Sequence, residues 1–518
     1  MTMLREVTVE NGKLLGIPAG DPRITAFKGI PYAAPPVGPL RWKAPQPAEN
    51  WEGVRDCSRF APISMQETPG LNPNDIYTKE WHVDSSIPIS EDSLYLNVWT
   101  PAKSADEKLP VMIWIYGGAF NNGYTAEMEF DGERIARRGV ILVSIAYRLN
   151  VFAWLAHPEL TAEDPDGPNG NFGFLDQRAA FQWVKRNIAA FGGDPDNVTV
   201  FGQSAGAGSI LAHLVSKRSV GLFNRCIVMS GGGIREGKSR PNNTREEQEA
   251  IGVKFQKFLG CENFAQMREI PAEELMKKAL EFMRLPDSPR FPFTHFTDGW
   301  FLDTDWTEAQ LKNERQMVPV IAGHTTNDFR RPPFGVNDMD SLKKYVEDRY
   351  EDRADEFLKL IEFDKGDYEH SMDLLCVPLQ EVGSAIWEEY NARMGNDPIY
   401  GYTFDGEMPG DNAGAFHSSD LWFVFETLAK CWRPFQGKHY DLARKMCNYW
   451  TNFAKNGDPN GLDNDGTPMP EWRPYTLDAP YEMYFGDTVH MRTERNPVIK
   501  FIVDWSIDWH KANPYSSK

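Results

Sequence analysis

Six short apolar runs punctuate the chain: Pro110–Tyr116 (PVMIWIY), Val140–Tyr147 (VILVSIAY), Asn197–Phe201 (NVTVF), Arg225–Ser230 (RCIVMS), Val318–Ala322 (VPVIA) and Pro398–Phe404 (PIYGYTF). Longer stretches between them carry apolar residues at helical spacing. In Phe174–Phe191 the series is Leu175, Ala179, Trp183, Ile188 and Phe191. Runs that are apolar at consecutive positions suit strands covered on both faces. Their alternation with helical patterns predicts an α/β fold with a central, mostly parallel, twisted sheet flanked by crossover helices. In open α/β sheets, ligand sites form beyond the carboxyl ends of the strands. The loops after Tyr116, Phe201, Ala322 and Phe404 are therefore expected on one edge. No repeat or low-complexity linker divides residues 1–518, which read as one domain. Two less regular stretches read as insertions over the active edge: roughly 68–90, polar and proline-containing, and roughly 338–396, helical and highly charged.

Composition narrows the partners more than the fold. The chain has 74 acidic and 55 basic residues, a formal charge of −19, with no run of consecutive basic residues. Such a surface offers no phosphate-binding stripe, which argues against nucleic acid and anionic membrane as partners. No stretch reaches the ~18 apolar residues of a membrane span. The first residues, MTMLREVTVENGKLLGIPAG, lack the apolar segment of a signal peptide. The six cysteines (Cys57, Cys226, Cys261, Cys376, Cys431, Cys447) are scattered, with no C-x-x-C pair. That pattern fits free thiols in a reducing compartment, hence a cytoplasmic protein.

The chemistry concentrates at Val198–Ser209, VTVFGQSAGAGS. Gly202-Gln203-Ser204-Ala205-Gly206 fits the G-x-S-x-G elbow, which alone is a weak signal. A strand precedes it and helix-compatible residues from Ile210 to Leu214 follow. That context lifts Ser204 above the sheet and favours a nucleophile over a serine in an ordinary turn. A serine hydroxyl needs a base within hydrogen-bond reach, and the base needs an orienting acid. For a strand–elbow–helix unit the chain order is Ser, acid, His. His82, His157, His213 and His295 precede the expected acid, and His213 falls on the elbow helix, where packing accounts for it. His324 lies in the loop after VPVIA, and His417 lies in the loop beyond the Pro398–Phe404 strand. His439, His490 and His510 lack such a context. Asp328 is the only carboxylate in the loop just after Gly323, although loop aspartates often cap turns. Pattern alone leaves both choices open.

Several ordered segments together resemble the type B carboxylesterase family, the cholinesterase-like and para-nitrobenzyl-esterase-like branch of the α/β hydrolases. They are Phe27-Lys-Gly-Ile-Pro-Tyr-Ala33 with Pro35–Arg41, Glu91-Asp-Ser-Leu-Tyr-Leu-Asn-Val98, Tyr116-Gly-Gly-Ala-Phe120, Asn171–Arg178, Phe191-Gly-Gly-Asp-Pro195, and Trp450-Thr-Asn-Phe453 with Gly457–Asn460. The resemblance implies the α/β-hydrolase fold and a serine esterase that needs no metal or cofactor. It implies Ser204 as nucleophile, His417 as base and Asp328 as acid. It also implies an oxyanion hole from the N–H groups of Gly118, Ala119 and Ala205, and a structural ion pair between Arg41 and Glu91. The expected partner is a small-molecule ester. A lactone, carbamate, thioester or amide would use the same machinery, and a non-catalytic binding module is the competing class. Trp81, Phe120 and Trp422 are possible gorge linings, although packing explains each as well.

Four departures qualify the resemblance. Asp328 stands where the family usually has Glu, so its loop must approach His417 more closely. Ala119 stands where the family often has glycine. Ser93 replaces a cysteine that secreted members bond to a partner, whose position here falls near Ser64 or Met65. Gln203 replaces the usual Glu beside the nucleophile, which predicts less attraction for cationic substrates.

Overall fold

Residues 3–68, 70, 76–81, 86–480 and 482–514 are described in a computed structural model of the chain. Eleven strands of these residues form one sheet. In chain order they are β1 (Ile17–Pro18), β2 (Thr25–Pro31), β3 (Tyr95–Thr100), β4 (Leu109–Ile115), β5 (Ile141–Ile145), β6 (Gly193–Gln203), β7 (Arg225–Met229), β8 (Val320–Thr325), β9 (Ile399–Phe404), β10 (Glu482–Phe485) and β11 (Val489–Arg492). Across the sheet they run β11-β10-β9-β8-β7-β6-β4-β5-β3-β2-β1. The seven from β5 to β10 are mutually parallel. β3, β2 and β1 close one side antiparallel, and β11 closes the other. This is the α/β-hydrolase architecture: a mixed, mostly parallel sheet flanked by helices.

Each of the six apolar runs lies on a parallel strand, where both faces are covered. Val111–Ile115 and all of β5 are buried, as is β8 from end to end. The edge strands escaped the sequence reading for a physical reason. β11 (Val-His-Met-Arg) is half exposed along its length, and β1 is two residues long. A one-sided or very short strand carries no continuous apolar signal. The helical pattern at 174–191 is realised as α1 (Phe172–Asn187) followed by a 3₁₀ turn to Phe191. The elbow helix is α2 (Ala205–Val215), buried from Ala205 through Leu214.

Within 338–396 the chain is helical: Met339–Tyr350, Ala354–Leu360, Tyr368–Leu375 and α3 (Leu379–Arg393). α3 packs on β8 and on the C-terminal helix α4 (Pro497–Ala512). Of the 68–90 stretch, Ile76–Glu80 is a short helix and Ile89–Ser90 pairs with Ile63–Ser64. Glu80 is buried there and accepts from Arg433 Nε at 2.9 Å and Trp422 Nε1 at 2.9 Å. His82 lies outside the described residues.

Two buried ion pairs tie the N-terminal third to the sheet. Arg41 meets Glu91 through two hydrogen bonds of 2.7 and 2.6 Å and also donates to the carbonyls of Arg268 and Ile270. Arg148, at the end of β5, meets Asp176 of α1 through Nε at 2.8 Å, Nη2 at 2.7 Å and its own backbone N–H at 3.0 Å. The position of the missing disulfide is resolved too: Ser64 Oγ donates to Ser93 Oγ across 3.0 Å, and both are buried. A hydroxyl pair occupies that place. Restoring sulfur by the double change Ser64→Cys, Ser93→Cys should close a ~30-residue loop and raise stability by about 3 kcal/mol. Thermal unfolding under oxidising and reducing conditions would read the difference, and identical midpoints would count against this pairing.

Candidate active site

The elbow is built by contact between glycines and the neighbouring strand. A side-chain carbon on Gly202 would stand 2.7 Å from the Gly206 carbonyl carbon. One on Gly206 would run into the Ile115 carbonyl oxygen at the end of β4. With both side chains absent, the chain turns from β6 into α2 within one residue. That residue is Ser204, held at φ 56° and ψ −122°. A non-glycine residue in such a conformation is strained by ~1–3 kcal/mol and persists only where its surroundings impose it. Here Ser204 N–H donates to the Met229 carbonyl at 2.9 Å, and the Ser204 carbonyl accepts from Gly208 at 2.9 Å. Gly206→Ala should therefore lower unfolding stability by ~2–3 kcal/mol through overpacking against backbone that cannot yield. Urea unfolding would show this as a reduced midpoint, and an unchanged midpoint would contradict the close approach.

The loop after β4 lies directly against the elbow. A side-chain carbon on Gly117 would stand 3.0 Å from Ser204 Cβ. Gly118 and Ala119 follow at φ 108° and 53°. Among the described residues, neither of their N–H groups meets a protein acceptor. The Ala205 N–H lies in the first turn of α2, where no intrahelical acceptor exists. Three backbone donors thus lie beside Ser204. The loop is braced from behind: Phe120 O accepts from Asn150 N–H at 2.8 Å and Trp154 Nε1 at 3.0 Å. Gln66 exchanges two 3.1 Å hydrogen bonds with Gly123. Ala119 tolerates the left-handed region at a cost of roughly 1–2 kcal/mol relative to glycine, so its donor survives.

His417 and Asp328 come together on loops beyond β9 and β8. His417 Nδ1 lies 2.7 Å from Asp328 Oδ1, and both residues are buried. Asn327 explains how the shorter carboxylate reaches. It forms an isolated parallel bridge with Phe416, donates to Ala415 O at 3.0 Å, and accepts Ala415 N–H on its side-chain oxygen at 3.1 Å. The acid loop is thereby clamped to the histidine loop one residue before each reacting side chain. Asp328 Oδ1 also accepts Phe329 N–H at 2.8 Å. Burial pushes the Asp328 carboxyl up, but the hydrogen bond and charge of His417 outweigh it and hold it below its usual value.

Gln203 is the third partner. Its Nε2 lies 3.1 Å from His417 Nε2. With Nδ1–H directed at Asp328, His417 Nε2 carries the lone pair and accepts from the Gln203 amide. Ser204 Oγ has no hydrogen-bond partner among the described residues, so the serine–histidine contact is not made in this arrangement. The expected residues stand close together, yet the amide and not the hydroxyl occupies the imidazole. Apo sites often hold such contacts open until substrate arrives.

Four other candidate histidines are engaged away from Ser204. His213 is buried between Ser219 Oγ at 2.7 Å and Gln177 Oε1 at 3.1 Å, and burial pushes its pKa down to about 3. His295 stacks on Trp306 and meets Phe120 edge-on at 5.0 Å, and burial brings its pKa to about 4. His324 lies 3.4 Å from Glu381. His157 caps the helix Pro158–Glu163. Phe120 packs on Trp154 and Phe174, and Trp422 is fully buried, so neither is an exposed lining. Trp81 stacks on Tyr77 at 4.9 Å, and Tyr77 Oη reaches the His417 carbonyl at 3.4 Å. Sequence reasoning did not find Phe329, whose ring lies 4.2 Å from the His417 ring. Its adjacency to Asp328 was the only available signal.

Comparisons with known proteins identify the family and the fold. The carboxylesterase family model matches residues 4–500. A fumonisin B1 esterase of Sphingopyxis macrogoltabida is 34% identical over 473 residues, spanning 87% of this chain and 82% of that protein. A solved thermophilic PNB esterase is 29% identical, with a TM-score of 0.79 over 97% of this chain and 100% of its own. A second PNB esterase is 28% identical, with a TM-score of 0.76 over 97% of this chain and 100% of its own. The chain belongs to the carboxylesterase family and is a carboxylic-ester hydrolase.

Proposed function

We propose that ester hydrolysis proceeds through Ser204, His417 and Asp328 by way of an acyl-enzyme. The observation that carries this reading is the 2.7 Å contact of His417 Nδ1 with Asp328 on loops clamped beside the elbow that presents Ser204. As substrate enters, the Gln203 amide yields His417 Nε2 to Ser204. His417 takes the hydroxyl proton while Oγ adds to the ester carbonyl. The N–H groups of Gly118, Ala119 and Ala205 receive the oxyanion, and His417 returns the proton to the departing alcohol. Water then attacks the acyl-serine by the same route, releasing the acid and free Ser204. Asp328 holds the imidazole tautomer and stabilises the imidazolium. The scheme uses no metal or cofactor, and its partner is a small-molecule ester.

Turnover of p-nitrophenyl esters of increasing chain length tests the reading. Asp328→Asn should lower kcat by ~10³–10⁴-fold, because the imidazole is then held in the wrong tautomer. Activity near wild type would remove Asp328 from the acid role. Gln203→Glu places a carboxylate against His417 and should raise the activity ratio of cationic to neutral esters. An unchanged ratio would end that part of the proposal. We further propose a reducing, cytoplasmic setting for the enzyme, supported by the serine pair at positions 64 and 93 and by six cysteines without a disulfide partner.

A further inference from the structure

The loop that carries His417, between β9 and Leu421, is gripped by one arginine outside it. Arg433 is buried. Its Nη1 donates to Asp411 Oδ1 at 2.7 Å and to the carbonyls of Met408 and Pro409, each at 3.3 Å. Its Nη2 reaches Asp411 Oδ2 at 3.4 Å. All three residues belong to the histidine loop. On the other edge of the guanidinium, Nε donates to both carboxylate oxygens of Glu80, at 3.0 and 2.9 Å. Glu80 ends the helix Ile76–Glu80 and is 1% exposed. Trp422 Nε1 at 2.9 Å, with Trp432 Nε1 and Cys431 Sγ at 3.3 Å, also donates to it.

The same helix reaches the base. Tyr77 Oη donates to the His417 carbonyl at 3.4 Å, and its ring meets Phe416 edge-on at 6.3 Å. The Arg433 guanidinium lies 5.4 Å from that same Phe416 ring. Phe416 also forms the bridge to Asn327 of the acid loop. The backbone at His417 is therefore held twice: by the acid loop, and by a brace built from Glu80, Arg433 and Tyr77. A buried ion pair adds little net stability over apolar packing. A fixed geometry matters here because the imidazole has successive tasks. It leaves the Gln203 amide for Ser204, takes the hydroxyl proton and hands it to the departing oxygen. Misplacing a reacting group by about 1 Å can cost roughly 100-fold in rate.

We infer that Arg433 and Glu80 are positioning residues for His417: through the histidine loop and Tyr77 they hold the imidazole where it serves both Ser204 and the leaving alcohol. The inference rests on the Ser204–His417 reading and adds the residues that place the base. The planar guanidinium fork donates to the loop and to Glu80 at once. Lysine would keep the charge at a single point on a flexible stem.

The test compares kcat/KM for ethyl butyrate and p-nitrophenyl butyrate. Both esters need His417 to take the Ser204 proton. p-Nitrophenolate then departs without a proton, whereas the ethyl ester's leaving oxygen must receive one from the imidazolium. A displaced base thus loses twice on the ethyl ester, and the ratio of the two values is independent of how much enzyme is folded. Arg433→Lys should lower the ethyl-to-p-nitrophenyl ratio by ~10-fold, a part of the 10²–10⁴ that a positioned acid supplies. Glu80→Gln, which keeps the shape and loses the charge, should lower it by a smaller factor. Arg138→Lys, in a buried pair whose partners Glu426 and Asn448 lie outside the histidine loop, should leave it unchanged. Where Arg433→Lys does not fold, Asp411→Asn at the partly exposed edge of the brace gives the same comparison. A wild-type ratio in folded Arg433→Lys or Asp411→Asn would overturn the brace and leave the hydrolase reading standing. Turnover of neither ester by the wild-type chain would end the Ser204–His417 reading, and the brace with it.

Discussion

Ser204→Ala lowers kcat by at least ~10⁴-fold, with KM changed far less and folding intact. The size of the loss follows from the roles assigned around Ser204. Without the hydroxyl, His417 and Asp328 have no nucleophile to activate, so Ser204 and His417 act as one unit and removing either costs nearly the full effect. The residue that remains still has the three backbone donors and the binding surface, which leaves a small rate above that of water. Folding is preserved because alanine keeps the same side-chain carbon at φ 56°, and Ser204 Oγ makes no hydrogen bond with the described residues that would be lost. Steady-state kinetics and thermal unfolding on the same preparation separate the two. A parallel fall in melting temperature would show that Ser204 is structural.

Asp176→Asn should destabilise the fold by ~3–5 kcal/mol, the scale for removing one partner of a buried ion pair. Arg148 and Asp176 are both buried, and Asp176 accepts three hydrogen bonds from Arg148. Arg148 Nη1 already lacks a partner, so a second loss leaves an uncompensated cation among Phe172 and its neighbours. Burial raises the Asp176 carboxyl even with the arginine beside it, which shows how much desolvation the pair must offset. The damage should reach activity as well. Arg148 and Leu149 lead into Asn150, whose N–H holds the Phe120 carbonyl behind Ala119. The double change Arg148→Met, Asp176→Leu removes both charges and should recover much of the stability. Chemical unfolding of Arg148→Met, Asp176→Leu and the double variant gives the cycle, and additive losses would mean the pair is not coupled.

Much of this molecule is legible in its sequence, and the limit is physical. The parallel strands can be read because burial on both faces leaves them apolar at consecutive positions, as in VILVSIAY. The edge strands β1 and β11 cannot, because β1 is only two residues long and solvent mixes polar residues into β11. The order Ser204, Asp328, His417 is visible from elbow and loop positions. What clamps Asp328 to His417 is not: the bridge from Asn327 to Phe416 joins loops that are 89 residues apart in sequence and ordinary in composition. Gln203 can be recognised as a departure from the family pattern. Its contact with His417 Nε2 depends on a rotamer and on the loop that carries the imidazole, so it becomes evident only in three dimensions.

The central claim is that Ser204 is the residue acylated during turnover. Its most direct measurement is mass spectrometry of the protein after reaction with an organophosphate ester that halts hydrolysis. The account predicts one adduct per chain on the peptide containing Ser204, and none in Ser204→Ala. Inhibition with the adduct on another residue, or full activity with Ser204 labelled, would contradict it.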